Sequence, residues 1–171
     1  TSESPVGAIE SAVVNDSGWI TSVTDENGFT TGYAYDAMGR LASIVRPGGD
    51  TVPWLPTTQV FQQVALVEYG IPAGHWRQTI TTGNAKKITY YDAMWRPLVT
   101  REYDATNATT EAATKRFQRF SYDENGQVSF ASYPGSTDAL TTGKWTLYDA
   151  LGRPTSVSQD SELGLLTTKT E

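Results

Sequence analysis

One four-residue pattern recurs along the chain and constrains its fold more than any other feature: Asp or Asn, followed three positions later by Gly. The complete copies are Asn15–Gly18, Asp25–Gly28, Asp36–Gly39, Asp123–Gly126 and Asp149–Gly152. Two further copies replace the glycine, Asp92–Trp95 and Asp104–Asn107. The most closely spaced copies begin 10 to 12 residues apart, which fits one strand and one tight turn. The pattern predicts a chain that reverses direction roughly every 11 residues.

The chemistry of the pattern explains why these residues suit a reversal. The Asp or Asn side chain accepts hydrogen bonds from backbone N–H groups two residues on. The fourth position commonly takes the left-handed conformation, which glycine adopts without steric cost and asparagine tolerates next best, so Asn107 is expected to keep the turn. At Trp95 we expect a turn of different shape, because Pro97 fixes φ two residues on. The alternative is a strained Trp95, at a cost of about 1 kcal/mol.

The segments between the turns have the composition of β-strands. They are rich in Thr, Val, Ile and aromatic residues, and several alternate, as Tyr33 and Tyr35 do on either side of Ala34. This indicates an all-β fold of antiparallel β-hairpin repeats.

Residues 47–83 depart from the repeat. Two prolines in "TVPWLP" exclude a central strand there. The stretch 59–70 is predicted as a strand, although three of its valines also have helical spacing. We therefore expect one repeat region over 1–171, with 47–83 as an irregular excursion within it.

Composition excludes several function classes. The net charge is −6 and the 13 Lys and Arg residues form no basic stripe, so nucleic acid is not an expected partner. No apolar run approaches the roughly 20 residues of a membrane span. The chain has no Cys and a single His, His75, which we interpret as a loop histidine. We expect no metal site, no cofactor and no catalytic residues.

The run "GWITSVTDENGFTTGYAYDAMGRLASIV" at 18–45 closely resembles the YD repeat of Rhs-type bacterial proteins, toxin-complex shell subunits and teneurins. Tyr-Asp pairs begin at 35, 91, 103, 122 and 148, and an Arg follows three of the turns, at Arg40, Arg96 and Arg153. Further matches are 90–104, 120–128 and 147–157. The departures are Val14-Asn15 for Tyr-Asp, Gln127 for Arg, Trp95 for Gly, and the segment 47–83.

The resemblance implies an architecture and a role. Members of the family wind YD repeats into a long antiparallel sheet that spirals into a hollow β-shell, and the bacterial shells enclose a toxic C-terminal domain. We accordingly expect a structural segment of a longer shell, bacterial, secreted or at the cell surface, whose partners are the rest of that shell and an enclosed toxin. Cut strand edges are expected to make the fragment self-associate.

The candidate site residues are interpreted mainly as structural. The turn aspartates are expected to cap turns and not to act as acid–base pairs, and Arg40, Arg96 and Arg153 to pair with the neighbouring strand. The tyrosines of the Tyr-Asp pairs are expected to form an aromatic ladder with bonded hydroxyls; an exposed sugar-stacking strip is the alternative. Trp54, Trp76 and Arg77 are the candidate ligand surface, although core packing explains them more simply.

Three functions therefore remain open. The first is a shell segment that acts by geometry. The second is a carbohydrate or cell-surface binding module that uses exposed Tyr and Trp. The third and most remote is an enzyme, for which the sequence offers no nucleophile–base pair.

Overall fold

A computed structural model describes residues 10–170, and the fold is an open antiparallel sheet of thirteen strands in chain order. The predicted all-β antiparallel class is confirmed. The strands are β1 Ser11–Val14, β2 Ile20–Thr24, β3 Thr30–Tyr35, β4 Leu41–Val45, β5 Thr57–Gln63, β6 Trp76–Thr82, β7 Ala85–Tyr91, β8 Pro97–Asp104, β9 Arg116–Tyr122, β10 Val128–Ser132, β11 Gly143–Tyr148, β12 Pro154–Ser161 and β13 Gly164–Lys169. One helix, α1, spans Ala108–Thr114.

The pairing register between neighbouring strands shifts by one residue beside five of the turns, those that begin at Asn15, Asp36, Asp92, Asp123 and Asp149. Such β-bulges lie at Val13/Val14, Ala34/Tyr35, Tyr90/Tyr91, Val128/Phe130 and Leu147/Tyr148. The turn at 25–28 is different, because Thr24 pairs with Thr30 in regular register. A bulge inserts an extra residue and changes the direction of a side chain. The bulges therefore occur at the four Tyr-Asp turns and at the Val-Asn turn that takes their place at 14–15.

The interpretation of 47–83 as irregular requires correction, because strands β5 and β6 both lie within it. The strand predicted over 59–70 ends at Gln63, and 64–75 is a loop with an isolated bridge between Glu68 and Ile71. Gly70 and Gly74 take left-handed φ angles of 77° and 92° in this loop, which interrupts any extended run.

The tetrad at 104–107 does not form the predicted hairpin turn. Asn107 has an extended backbone, with φ −161°, and caps helix α1 by accepting a hydrogen bond from the Thr110 N–H. Asparagine is among the best N-cap residues, and the Thr-, Glu- and Ala-containing segment that follows continues as a helix. The first residue of the tetrad, Asp104, ends strand β8.

The chain divides into two compact units. The first comprises the residues up to Val60 together with Ile80–Gly83, and the second comprises Phe61–Thr79 and the residues from Asn84 onward. Among the described residues, every buried apolar side chain lies in the second unit: Val64, Ile71, Ile88, Tyr90, Val99 and Phe117. The first unit is a sheet whose large apolar side chains are partly or mostly exposed.

Candidate functional site

The turns share one hydrogen-bonding scheme. The Oδ1 atom of the first residue accepts from the backbone N–H groups two and four residues on, at 2.8–3.0 Å. The fourth residue donates its N–H to the carbonyl of the first. The turns with this scheme begin at Asn15, Asp25, Asp36, Asp92, Asp123 and Asp149. In the five with glycine, the fourth residue has a φ of 78° to 82°.

The tyrosine before each Tyr-Asp turn reaches the neighbouring strand. Its hydroxyl donates to the backbone carbonyl of the first residue of the preceding strand in three cases: Tyr35 to Ile20 at 2.8 Å, Tyr122 to Pro97 at 2.9 Å and Tyr148 to Val128 at 3.1 Å. Tyr91 instead donates to the Gln78 side chain at 3.0 Å. Each accepting carbonyl lies just after the preceding turn on the same edge of the sheet. The hydroxyl therefore links two turns that lie on the same edge of the sheet. We call a series of turns on one edge a turn column. The columns contain the turns 15–18 and 36–39 in the first unit, and 92–95, 123–126 and 149–152 in the second.

In both units a residue that follows one turn contacts the next turn of its column. The Trp19 ring lies 5.2 Å from the Tyr35 ring, and a Cβ atom on Gly39 would be 2.5 Å from Trp19 Cζ2. In the second unit, the Gln127 amide donates to the Gly152 carbonyl at 2.9 Å, and a Cβ on Gly152 would be 3.2 Å from its Nε2. Glycine in these turns therefore satisfies the left-handed backbone and also leaves room for the preceding turn.

The three repeat arginines correct one expectation. A carboxylate or carbonyl of the neighbouring strand was the expected partner, but each pairs with the aspartate of its own turn: Arg40 with Asp36, Arg96 with Asp92 and Arg153 with Asp149, all at 2.7 Å. The four-residue spacing places the guanidinium directly over the turn carboxylate. The Arg96 guanidinium also reaches the next turn of its column: it lies 4.5 Å from the Tyr122 ring, and a Cβ on Gly126 would be 3.2 Å from its Nη1.

These contacts shift the acidity of the turn carboxylates. The pKa of Asp36 lies below its ordinary value of 3.8 because the Arg40 backbone N–H donates to it, and the pKa of Asp149 is lowered in the same way by Arg153. Burial of Asp92 opposes its ionisation, but hydrogen bonds from the Arg96 backbone and side chain outweigh burial, so the pKa of Asp92 is lowered as well.

Acid is therefore expected to weaken the turns. A carboxyl whose pKa is lower in the folded chain stabilises it above pH 3.8, and that stabilisation disappears as the pH falls through the folded pKa. In a triple variant with Asp36, Asp92 and Asp149 replaced by Asn, we expect the melting temperature to fall less steeply between pH 5 and pH 2.5, because Asn15 shows that asparagine supports the same turn.

The control for this measurement is Asp16→Asn, since the Asp16 carboxylate makes none of these turn hydrogen bonds. It should leave the pH dependence of the melting temperature as it is in the parent. An unchanged slope in the triple variant would contradict the link between turn carboxylates and acid stability.

Trp95 does not reshape its turn, contrary to the expectation drawn from Pro97. Trp95 itself adopts the left-handed conformation, with φ 64°, and the backbone bonds of the turn are those of the glycine copies. Its ring stacks on Phe61 at 5.2 Å and lies 5.4 Å from Trp76. Aromatic pairs contribute about 0.5–1.5 kcal/mol each, which offsets the roughly 1–2 kcal/mol cost of a left-handed residue with a side chain. Pro97 simply begins strand β8, opposite Tyr91.

The candidate ligand residues occupy different surroundings. Trp54 lies in the loop before β5 in the first unit; it is 61% exposed, donates from Nε1 to Asp50 at 2.6 Å, and has the Arg46 guanidinium 5.5 Å from its ring. Trp76 and Arg77 are consecutive in β6, so their side chains project to opposite faces of the sheet.

On the Arg77 face, a carboxylate network holds the 64–75 loop. Arg77 pairs with Glu68 at 2.8 Å, and the buried His75 ring lies between Glu68, at 3.3 Å, and the Pro72 carbonyl, at 2.9 Å. The next loop residue, Tyr69, has a left-handed φ of 51° and packs its ring against Tyr90 at 5.1 Å. His75 is thus a buried loop histidine with a packing role, and Arg77 holds the loop through its ion pair with Glu68.

On the Trp76 face, an aromatic groove of about 450 Å³ opens in the second unit. We define the aromatic groove by its lining: Gln63, Ile71, Pro72, Ala73, Gly74, His75, Trp76, Asp92, Ala93, Trp95 and Leu98. Sequence reasoning singled out Trp76 but not the groove. The available signal was Trp95, a large side chain at a position where the other turns have glycine.

Residues 10–170 contain no group of three or more His, Asp or Glu side chains placed to hold a metal ion. The helix within this range is too short and too polar to cross a membrane. Each turn aspartate accepts two backbone hydrogen bonds through Oδ1, as expected of a residue that caps a turn.

Residues 14–51 match the family model described as RHS Repeat. The matched segment contains the turns at 15–18, 25–28 and 36–39 and the hydrogen bond from the Tyr35 hydroxyl to the Ile20 carbonyl. No curated protein matches the chain.

Proposed function

Because the chain is a YD/Rhs-repeat protein, we propose that its sheet is a length of wall in a β-shell that encloses a toxic C-terminal domain and assists its delivery. Rhs repeats are structural repeats, and proteins that carry them are typically extracellular or at the cell surface. The role proposed for this chain is non-catalytic, and its proposed setting is a secreted or surface-exposed bacterial protein.

The observation that carries the proposal is the turn column. The hydroxyls of Tyr35, Tyr122 and Tyr148 each bond to the strand before them. Trp19, Arg96 and Gln127 each lie against the glycine of the next turn in their column. Contacts of this kind link each hairpin to its neighbour and to no distant element, as in repeat proteins that grow by stacking. A sheet built this way can be lengthened by adding hairpins, as the wall of a large β-shell requires.

Exposed apolar surface in the first unit supports an enclosing role. Its exposed large apolar side chains include Val13, Val14, Ile20, Phe29, Val45, Trp54 and Leu55. A large contiguous apolar patch on a soluble protein is typical of a face that meets another polypeptide, and we propose that these side chains belong to such a face. In the proposed shell, that polypeptide is further wall or the enclosed domain.

The two terminal strands of the sheet provide edges for association. All residues of β1 and β13 are exposed, and within residues 10–170 β1 pairs only with β2 and β13 only with β12. An unpaired edge is a template for another strand. We therefore propose that the 171-residue chain self-associates through these edges, and sedimentation velocity at increasing concentration should show a rising mass; a constant monomer mass would contradict this.

The test of the shell is made on the native protein that contains this sequence. We expect an intact mass several times 18.7 kDa, a hollow particle in negative stain, and a downstream domain that resists protease until the particle is unfolded. A compact particle close to 18.7 kDa, or a downstream domain cleaved as fast in the particle as when free, would refute the enclosing role.

A further inference from the structure

We propose that the aromatic groove is a binding site for a neutral saccharide, with Trp95 as the platform on which a sugar ring stacks. The proposal is independent of the shell: it concerns a surface of the second unit, and it stands or falls on ligand binding.

The conformation of Trp95 is the first observation. The glycine-containing turns show that this position needs no side chain, yet here it carries the largest one, in a left-handed backbone with φ 64°. A backbone held in a rarely used conformation points to a functional constraint. The ring is nevertheless 53% exposed, so core packing alone does not account for it.

The neighbours of Trp95 give its ring a fixed orientation. Phe61 stacks beneath it with an interplanar angle of 24°, Trp76 lies at 30°, and Phe61 and Trp76 stack on each other at 15°. Tyr91 closes the cluster with its ring 6.5 Å from Trp95. A ring supported by near-parallel neighbours and half exposed is a preorganised platform, which reduces the entropy lost on binding.

The charge of the groove selects a neutral ligand. The Asp92 carboxylate is neutralised by Arg96 at 2.7 Å, and Glu68, beside His75, is neutralised by Arg77. An indole face attracts a cation weakly by itself, and an unpaired carboxylate nearby would add to that attraction, whereas an anionic ligand needs an unpaired cation or a row of backbone donors. The paired charges of the groove favour neither.

The shape and polarity of the groove fit a sugar. A volume of about 450 Å³ lies within the range of small-molecule sites. The C–H groups on one face of a pyranose carry positive partial charge and match the negative face of the indole ring. Its hydroxyl groups need polar partners at the rim. Gln63 donates from Nε2 to the Gly74 carbonyl at 2.9 Å, which leaves its Oε1 as an acceptor at the rim. The Asp92 oxygens are already occupied by the Met94 and Arg96 N–H groups and by the Arg96 guanidinium.

The test is a titration of the 171-residue chain with cellotriose, maltotriose and chitotriose, observed through the indole N–H signals of its five Trp in ¹H–¹⁵N NMR spectra. We expect saturable shifts of the Trp95 and Trp76 signals with at least one trisaccharide, while the Trp54 signal stays in place. Hexaproline serves as a comparison ligand, because proline-rich segments also dock on aromatic grooves.

The decisive variant is Trp95→Gly, which installs the residue of the other turns and should preserve the fold. It should weaken binding at least tenfold, whereas Trp54→Ala should change binding less than twofold. Trp95→Asn, which also tolerates the left-handed backbone, repeats the test should the glycine variant fail to fold. The proposal is overturned by no saturable shift with any of the three sugars, by binding that survives the loss of Trp95, or by saturation with hexaproline alone.

Discussion

Replacing Gly143 by alanine is expected to lower the free energy of unfolding by about 1–3 kcal/mol, the range typical of overpacking in a filled site. Gly143 begins strand β11 opposite Ser132 of β10. A Cβ atom at this position would meet the backbone oxygen of Ala131 and lie 2.6 Å from Ser132 Cα. Backbone cannot rotate away as a side chain can, so the two strands must separate. The change is measured by urea unfolding followed by far-UV circular dichroism.

Gly32→Ala is the matched control. Gly32 also lies in a strand, β3, and its φ is likewise outside the left-handed range, but the nearest atom to an added Cβ is Val45 Cβ at 3.9 Å, an ordinary contact. This substitution should be neutral or should stabilise the chain by up to about 1 kcal/mol, because alanine restricts the unfolded state. Equal changes in the free energy of unfolding at Gly143 and Gly32 would show that the close contact between Gly143 and the β10 backbone does not determine the loss of stability.

Phe117→Ala should have the largest effect of any single change considered, a loss of about 3–5 kcal/mol. Phe117 is 5% exposed and lies in the core of the second unit, with its ring 5.3 Å from Tyr69 in an edge-on arrangement. Its backbone also bonds to Gly135, at 2.7 and 2.9 Å, so it fixes a loop as well as filling the core. Urea unfolding of the second unit should shift to much lower concentration.

The matched control is Phe29→Ala. Phe29 lies in the turn region of the first unit and is 51% exposed. Its replacement should cost less than about 1 kcal/mol, the usual range for surface positions. A comparable loss at both phenylalanines would contradict the assignment of the packed core to the second unit.

The turns show how far local chemistry can be predicted. An Asp or Asn with a glycine three residues later defines the reversal through bonds that span only four residues, so the sequence predicted the turns at Asp25, Asp36, Asp123 and Asp149. The same rule failed at Asn107, where the following residues favour a helix and asparagine serves equally well as an N-cap. One local motif can thus support two structures, and the flanking segment selects between them.

Several side-chain contacts were not predicted from the sequence. The partner of Arg40, Arg96 and Arg153 was expected on a neighbouring strand and is the turn aspartate, because the register and the bulge determine where a long side chain reaches. Strand β6 was not predicted, and β5 was predicted only in part, because the strand expected over 59–70 begins at Thr57 and ends at Gln63.

The sequence by itself determined the repeat, the antiparallel all-β class and the position of most turns, because these depend on backbone preferences and on hydrogen bonds within a few residues. Only the tertiary structure decided that Trp95 adopts the left-handed backbone conformation of the turn glycines. It also decided what the side chains of Trp76 and Arg77 contact on the two faces of the sheet, and that Gly143 lies against the backbone of β10. Those outcomes depend on which side chains meet across strands, and the free energy of such contacts is absent from any local stretch of residues.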